Sequence, residues 1–256
     1  MRDLEVGPPG SHPDCADCLQ YCCHQLNVHV SAADIARLAK RLDVPAEAFL
    51  ELRVMARSSA DSFLLSPTGA EYELVLCRRE RDAQGNASCV FLLVMQDGRS
   101  RCGVYEDRPR VCRVYPFYLE GDQPRLDASH LCPPELMDLA KAPGRAVRAA
   151  FMRKVVERDA HRLAIDRWNH HVAAEPDGTA HDTGDLLAYL FSAAAATEPV
   201  LAPVLADEAS LETWAAASLA TFNPLLPRHG YEVPEAARAT EFQAMLNEVR
   251  DATGAP

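Results

Sequence analysis

The sequence predicts an α+β fold, predominantly α, with a small antiparallel β meander inside a cysteine-rich module and a helical C-terminal half. Three observations predict it. All nine cysteines lie in the first 132 of 256 residues. Between Glu71 and Tyr105 the hydrophobic pattern changes from a helical to an alternating period. From Pro134 onward the chain is Ala-rich, with apolar residues at helical spacing.

The elements follow in order. Residues 1–12 form a loose Pro/Gly-containing tail. Asp14 can cap a short helix over 14–25, CADCLQYCCHQL being its body. Ser31 caps a second helix, SAADIARLAKRL, in which Ile35, Leu38, Ala39 and Leu42 share a face. Pro45 can open a third through AEAFLELRVMA. EYELVLCRR (71–79), SCVFLLVM (88–95) and Arg101 to Tyr105 are the strands of the meander, with Gly85-Asn86 and Asp97-Gly98 at the connections. EDRPRVCRVYPF reads as a short helical turn ended by Pro116. Helices are expected over 144–173, 183–197, 207–221 and 234–251. The composition shift near 134 divides the chain into a cysteine-cluster module, 1–133, and a helical region, 134–256, packed on it.

Composition narrows the function classes. Twenty-six Lys and Arg against 37 Asp and Glu leave a formal charge of −11, which repels phosphate backbones and disfavours general nucleic-acid binding. No apolar run reaches the length of a membrane span, and the start, MRDLEVGPPGSHPD, lacks the apolar core of an export signal. A cytoplasmic, soluble chain is therefore expected. In a reducing compartment, clustered cysteines point to metal ligation rather than to a disulfide framework.

Cys15, Cys18, Cys22 and Cys23 fall within nine residues. On a helix, with Cys15 at 0°, Cys18 lies at about 300°, Cys22 at about 340° and Cys23 at about 80°. Three thiols then share a face about 60° wide, able to present several sulfurs to one ion or cluster. An all-thiolate set suits zinc or an iron–sulfur cluster. Cys89, Cys102, Cys112 and Cys132 spread over 44 residues. A two-residue turn at Asp97-Gly98 would pair Leu93 with Cys102 and leave Cys89 four residues, roughly 13 Å, further along. That is too far for one zinc ion. Either the strand starts after Cys89, or the two cysteines serve different metals, or the register differs. Arg108, Arg110 and Arg113 surround Cys112. Eight thiolates and two divalent ions sum to −8 + 4 = −4, a residual charge that favours Arg108 and Arg113 as hydrogen-bonding neighbours of the sulfurs.

These segments resemble a known family. C-A-D-C-L-Q-Y-C-C (15–23), C-V-F-L (89–92) and C-G-V-Y-E-D-R-P-R-V-C-R-V-Y-P-F (102–117), with the later Cys132, are similar to the YkgJ-type CxxCxxxCC cysteine-cluster proteins, described as zinc- or iron-chelating. The resemblance covers roughly residues 12–133. It implies chelation of metal ions by Cys15, Cys18, Cys22, Cys23, Cys89, Cys102 and Cys112, with Cys132 as the eighth ligand, and a cofactor that is an iron–sulfur cluster or Zn2+. Arg108, Pro109, Arg113 and Pro116 are signature positions. A similar cluster in flagellin lysine methylases implies an alternative, an iron–sulfur-dependent methyltransferase. A purely structural zinc module for protein interaction is another. The chain has neither a GxGxxG nor a Walker A sequence, and no catalytic residue can be assigned.

Other features are weighed against blander readings. Cys77, outside the signature, reads as a packing residue. His24 is not needed beside eight thiols. The adjacent His170 and His171 point about 100° apart on a helix, so they do not share a metal. Tyr105, Tyr115, Phe117 and Tyr118 read as walls that keep water from the metal site. Segment 141–167 carries eight Lys/Arg and three Asp/Glu, scattered around the helix as on a solvated surface.

Overall fold

The computed structural model describes residues 21–79, 87–96, 100–120, 123–127, 144–206 and 213. The chain divides into two compact units, one of residues 1–53 and 73–151, the other of 54–72 and 152–256. Among the described residues the fold is α+β and mainly helical, 51% helix and 17% strand, as expected. No helix among the described residues is long and apolar enough to cross a membrane.

In the first unit, α1 spans Tyr21–Gln25 and α2 Ala32–Leu42. Ser31 caps α2 in a reciprocal box. Its hydroxyl accepts from the Asp34 amide at 3.1 Å, and Asp34 Oδ2 accepts from the Ser31 amide at 3.1 Å. Ile35 and Leu38 are buried as the spacing predicts. Asp43 ends the helix in the left-handed region, φ 54°.

The helix expected after Pro45 is corrected. A single 3-10 turn, Ala46–Ala48, gives way to strand β1, Leu50–Val54. Leu50, Leu52 and Val54 also fit a period of two, and a strand partner decides between the periods. The partner is β3, Glu71–Leu76, central in a sheet of order β1-β3-β2, with β2 at Phe63–Leu64. Glu73, buried in β3, takes Arg53 and His29 as ion-pair partners, the latter at 3.0 Å.

The single meander is also corrected. β4, Leu92–Val94, pairs β5, Ser100–Cys102, as a separate two-stranded ladder. An isolated antiparallel bridge, Arg78↔Cys89, joins the end of the β3 segment to the start of the β4 segment. The sequence also gave no sign of the hairpin of β6, Phe117–Glu120, and β7, Gln123–Leu126. It follows α3, Arg110–Val114, and a cis Tyr115–Pro116 bond. Val114 and Phe117 share a core with Ala150 and Phe151, and Leu126 and Val147 pack against it.

In the second unit, α4, Gly144–Ala173, has the expected limits, and its residues from Met152 onward belong here. Val156, Ile165 and Val172 are fully buried. α5 runs Thr183–Ala206, past the end expected near 197. Pro199 removes a backbone donor, yet Leu201 and Val204 remain buried and carry the apolar face onward. The helices expected at 207–221 and 234–251 lie outside the described residues, Thr213 excepted.

Segment 54–72 is fastened to this unit by side chains of α4. The Asn169 amide works as a strand edge would, accepting from the Leu64 amide at 2.9 Å and donating to the Ser62 carbonyl at 3.0 Å. Trp168 Nε1 donates to the Leu64 carbonyl at 2.7 Å. Arg162 grips Asp61 with two hydrogen bonds, 2.7 and 2.9 Å.

Burial works to raise the Asp61 carboxyl, but the Arg162 guanidinium outweighs it and holds the group below its ordinary 3.8. A depressed folded value means that this contribution is fully present above about pH 4 and is lost as pH falls through the folded value. Asp61→Asn should therefore lower stability at neutral pH and flatten its acid dependence. Urea midpoints measured across pH check this, and parallel curves for wild type and variant would refute it.

Candidate metal centre

Four segments of the first unit carry the described cysteines of the signature. α1 carries Cys22 and Cys23, and their sulfurs are 4.0 Å apart. Cys89 opens a tight turn in which the Leu92 amide donates to the Cys89 carbonyl at 3.0 Å. Cys102 ends β5 and Cys112 lies in α3.

The register of β4 and β5 resolves the spacing problem. Leu92, not Leu93, faces Cys102, because the connection is longer than a two-residue turn. Cys89 precedes the strand, so the extended separation does not apply. The turn at 89–92 and the hydrogen bond from the Gly103 amide to the Phe91 carbonyl, 2.8 Å, bring the two cysteines into electrostatic contact. A Cβ on Gly103 would lie 3.2 Å from both Phe91 O and Leu93 Cδ1, so the close approach needs glycine.

Two charged side chains fix the segments to one another. The Cys89 amide donates to the Cys23 carbonyl at 2.7 Å. Arg78 clips the same junction, donating to the carbonyls of Leu26 (2.7 Å), His24 and Ala87. Asp34 is the second clip. Besides capping α2, its Oδ1 accepts from the Arg110 amide at 3.1 Å and from Arg37. Pro109 offers α3 no side-chain cap, so Asp34 supplies one from outside and thereby sets the position of Cys112. Sequence reasoning missed both residues. For this helix the sequence pointed to Ser31 and not to Asp34, and Arg78 carried no local signal because its partners are backbone carbonyls more than 50 positions back and 9 ahead.

Electrostatics shows that five thiols are neighbours. Burial pushes up the thiols of Cys89, Cys102 and Cys112, with further upward pressure from Cys102 and Cys22 on Cys89, from Cys22 on Cys102, and from Cys89, Cys22 and Cys102 on Cys112. Within the adjacent pair, the hydrogen bond from Cys23 draws Cys22 down to about 7, while Cys23 is pushed far up as the proton holder. Arg108 is the cation that favours the thiolates of Cys22, Cys102 and Cys112. It is buried, hydrogen-bonded from Nε to the Tyr105 carbonyl at 3.0 Å, with its guanidinium 3.9 Å from the Tyr105 ring centroid. Arg113, also buried, donates to the carbonyls of Arg108 (3.0 Å) and Glu106. It staples the turn that aims Arg108.

Cys77 stands apart. Burial raises its thiol and Glu51 adds to the rise, and none of the five other thiols is among its influences. Cys15, Cys18 and Cys132 lie outside the described residues. The aromatic wall is partly corrected. Phe117 belongs to the α3–α4 core, Tyr105 lies against Arg108, and Tyr118 is exposed.

The donor set fits a soft metal. Buried thiols that raise one another can ionise together only if a cation joins them. Among the described residues no three cysteine sulfurs lie within 4.8 Å of one another. The thiolates around one tetrahedral zinc, with bonds of about 2.3 Å, would be about 3.8 Å apart.

No curated protein and no solved structure matches the chain significantly. The cysteine-bearing segments do match a family. Residues 14–133, which contain all nine cysteines, match the CxxCxxCC family, described as a putative zinc- or iron-chelating domain.

Proposed function

We propose that this module holds a multinuclear iron–sulfur centre through eight thiolates: Cys15, Cys18, Cys22, Cys23, Cys89, Cys102, Cys112 and Cys132. The observation that carries the reading is that five of these thiols, from four chain segments, act on one another, and that Arg108 acts on three of them, Cys22, Cys102 and Cys112. Eight thiolates exceed the four that saturate a single tetrahedral ion, which favours a centre of several metal atoms. The remaining three ligands rest on the family signature. Such a cluster supplies one-electron transfer when bound, and its potential depends on net charge and on hydrogen bonding to sulfur. In this proposal Arg108 offsets the thiolate charge, Arg113 holds Arg108 in place, and Arg78 and Asp34 keep Cys89 and Cys112 in position.

One observation favours a second reading. The 4.0 Å separation of Cys22 and Cys23 is close to the sulfur–sulfur edge of a tetrahedral zinc–thiolate site, about 3.8 Å. A thiolate-saturated zinc has no open position and would be structural.

Three outcomes follow from the proposal. Cys89→Ser should lose most of the bound metal, whereas Cys77→Ser should keep it. Equal metal content in both, measured by elemental analysis of the purified full chain, would refute the assignment. Arg78→Met should also lower metal content while leaving the helical signal in circular dichroism near wild type, because it loosens the junction of α1 with Cys89. Finally, four of the five thiols are raised above 9.0 in the metal-free fold and one is lowered. Raised acids contribute stability below their unfolded value that is lost as pH rises. Metal-free protein should therefore lose stability above about pH 9. Metal binding at neutral pH should release protons, measurable with a pH indicator in weak buffer, and affinity should rise with pH.

A further inference from the structure

The second unit carries a different set of ligand atoms. One ligand atom from each of His171, Glu175 and His181 lies within 4.8 Å of the other two. The geometry points to a second metal site here, for a zinc-like divalent cation held by two imidazoles and a carboxylate, independent of the cysteine module.

Local structure explains why these three meet. His171 lies in the last turn of α4. The chain then tightens, with the Ala174 amide reaching the carbonyls of His170 and His171 and the Glu175 amide that of Val172 at 3.1 Å. This keeps Glu175 over His171, with Oε1 3.6 Å from Nε2. A turn at Pro176–Thr179 reverses the chain. Gly178 sits there at φ +92°, which a side chain would strain. His181 returns to the site, anchored by its amide to the Leu65 carbonyl at 2.8 Å. Its ring lies 5.2 Å from that of Trp168 and 5.7 Å from that of His171.

The two nitrogens of His181 face different surroundings. Nδ1 lies 3.7 Å from Asp185 Oδ2, and Asp185 is itself fixed by a reciprocal cap with Asp182, 2.9 and 3.1 Å. Nε2 is buried and makes no hydrogen bond among the described residues. A buried imidazole nitrogen without a partner costs free energy that a metal bond would remove. The Asp185 carboxylate near the opposite nitrogen is the kind of neighbour that orients metal-binding histidines, and here it lies just beyond hydrogen-bond distance.

The size also fits. Ligands of a tetrahedral ion with bonds of about 2.1 Å lie about 3.4 Å apart. The His171–Glu175 edge, 3.6 Å, already matches. His171 (61%) and Glu175 (31%) are exposed enough to turn toward the more buried His181 (17%). Nitrogen and oxygen donors select zinc and its neighbours, and three protein ligands leave a fourth position for water. His170 takes no part in this trio. The partner of His171 is ten residues away, across a turn that the helical wheel does not reveal.

The test uses the full chain equilibrated with buffered zinc, then with cobalt(II). Wild type should bind one more equivalent of zinc than His171→Ala, and Glu175→Gln should lose the same equivalent, with helix content unchanged in both surface variants. Cys89→Ser should retain it. The cobalt difference spectrum, wild type minus His171→Ala, should show ligand-field bands without the intense sulfur-to-cobalt charge transfer of a thiolate site. Equal zinc binding by wild type and both variants, or sulfur charge transfer in the difference spectrum, would overturn the proposal.

Discussion

Buried thiols that face one another are the constraint on which the first unit depends. Cys23 is harder to ionise chiefly because it holds the proton shared with Cys22, and Cys89, Cys102 and Cys112 because they are desolvated and another thiolate would lie close by. Arg108, with Arg78 near Cys89, provides two positive charges, too few for five sulfurs. As neutral thiols these groups pack as Cys77 does, but their joint ionisation is disfavoured. The arrangement becomes favourable when a multivalent cation joins the sulfurs, which is the property expected of a metal-chelating domain.

The backbone of the unit serves that placement. Each cysteine-bearing segment is short, and none could hold its position alone. α3 has five residues, β4 and β5 have three each, and the described part of α1 has five. Polar side chains supply the rigidity. Asp34 couples the start of α2 to that of α3, Arg78 couples the end of α1 to the turn that Cys89 opens, and Arg113 closes the turn under Arg108. All three act on backbone groups, and Arg78 in addition favours the thiolate of Cys89.

The cysteine spacing and the long helix were legible in the sequence because their signals are local. Ser31, and the apolar period of 144–173, specify their elements within a few residues. What escaped depends on partners distant in the chain. Leu50–Val54 fits either period until β3 lies beside it. The β4–β5 register depended on a connection longer than Asp97-Gly98 implied, and a one-residue change altered which residue faces Cys102. The pairing of His171 with His181 required the turn at Gly178, whereas the sequence drew attention to the adjacent His170.

The central claim is that the converging thiols hold a multinuclear iron–sulfur centre. Its most direct test is anaerobic purification of the full chain from metal-replete cells, with iron, zinc and acid-labile sulfide quantified per chain. The account predicts a brown protein with several iron atoms and a comparable amount of sulfide. Zinc without iron or sulfide, or no bound metal at all, would contradict it.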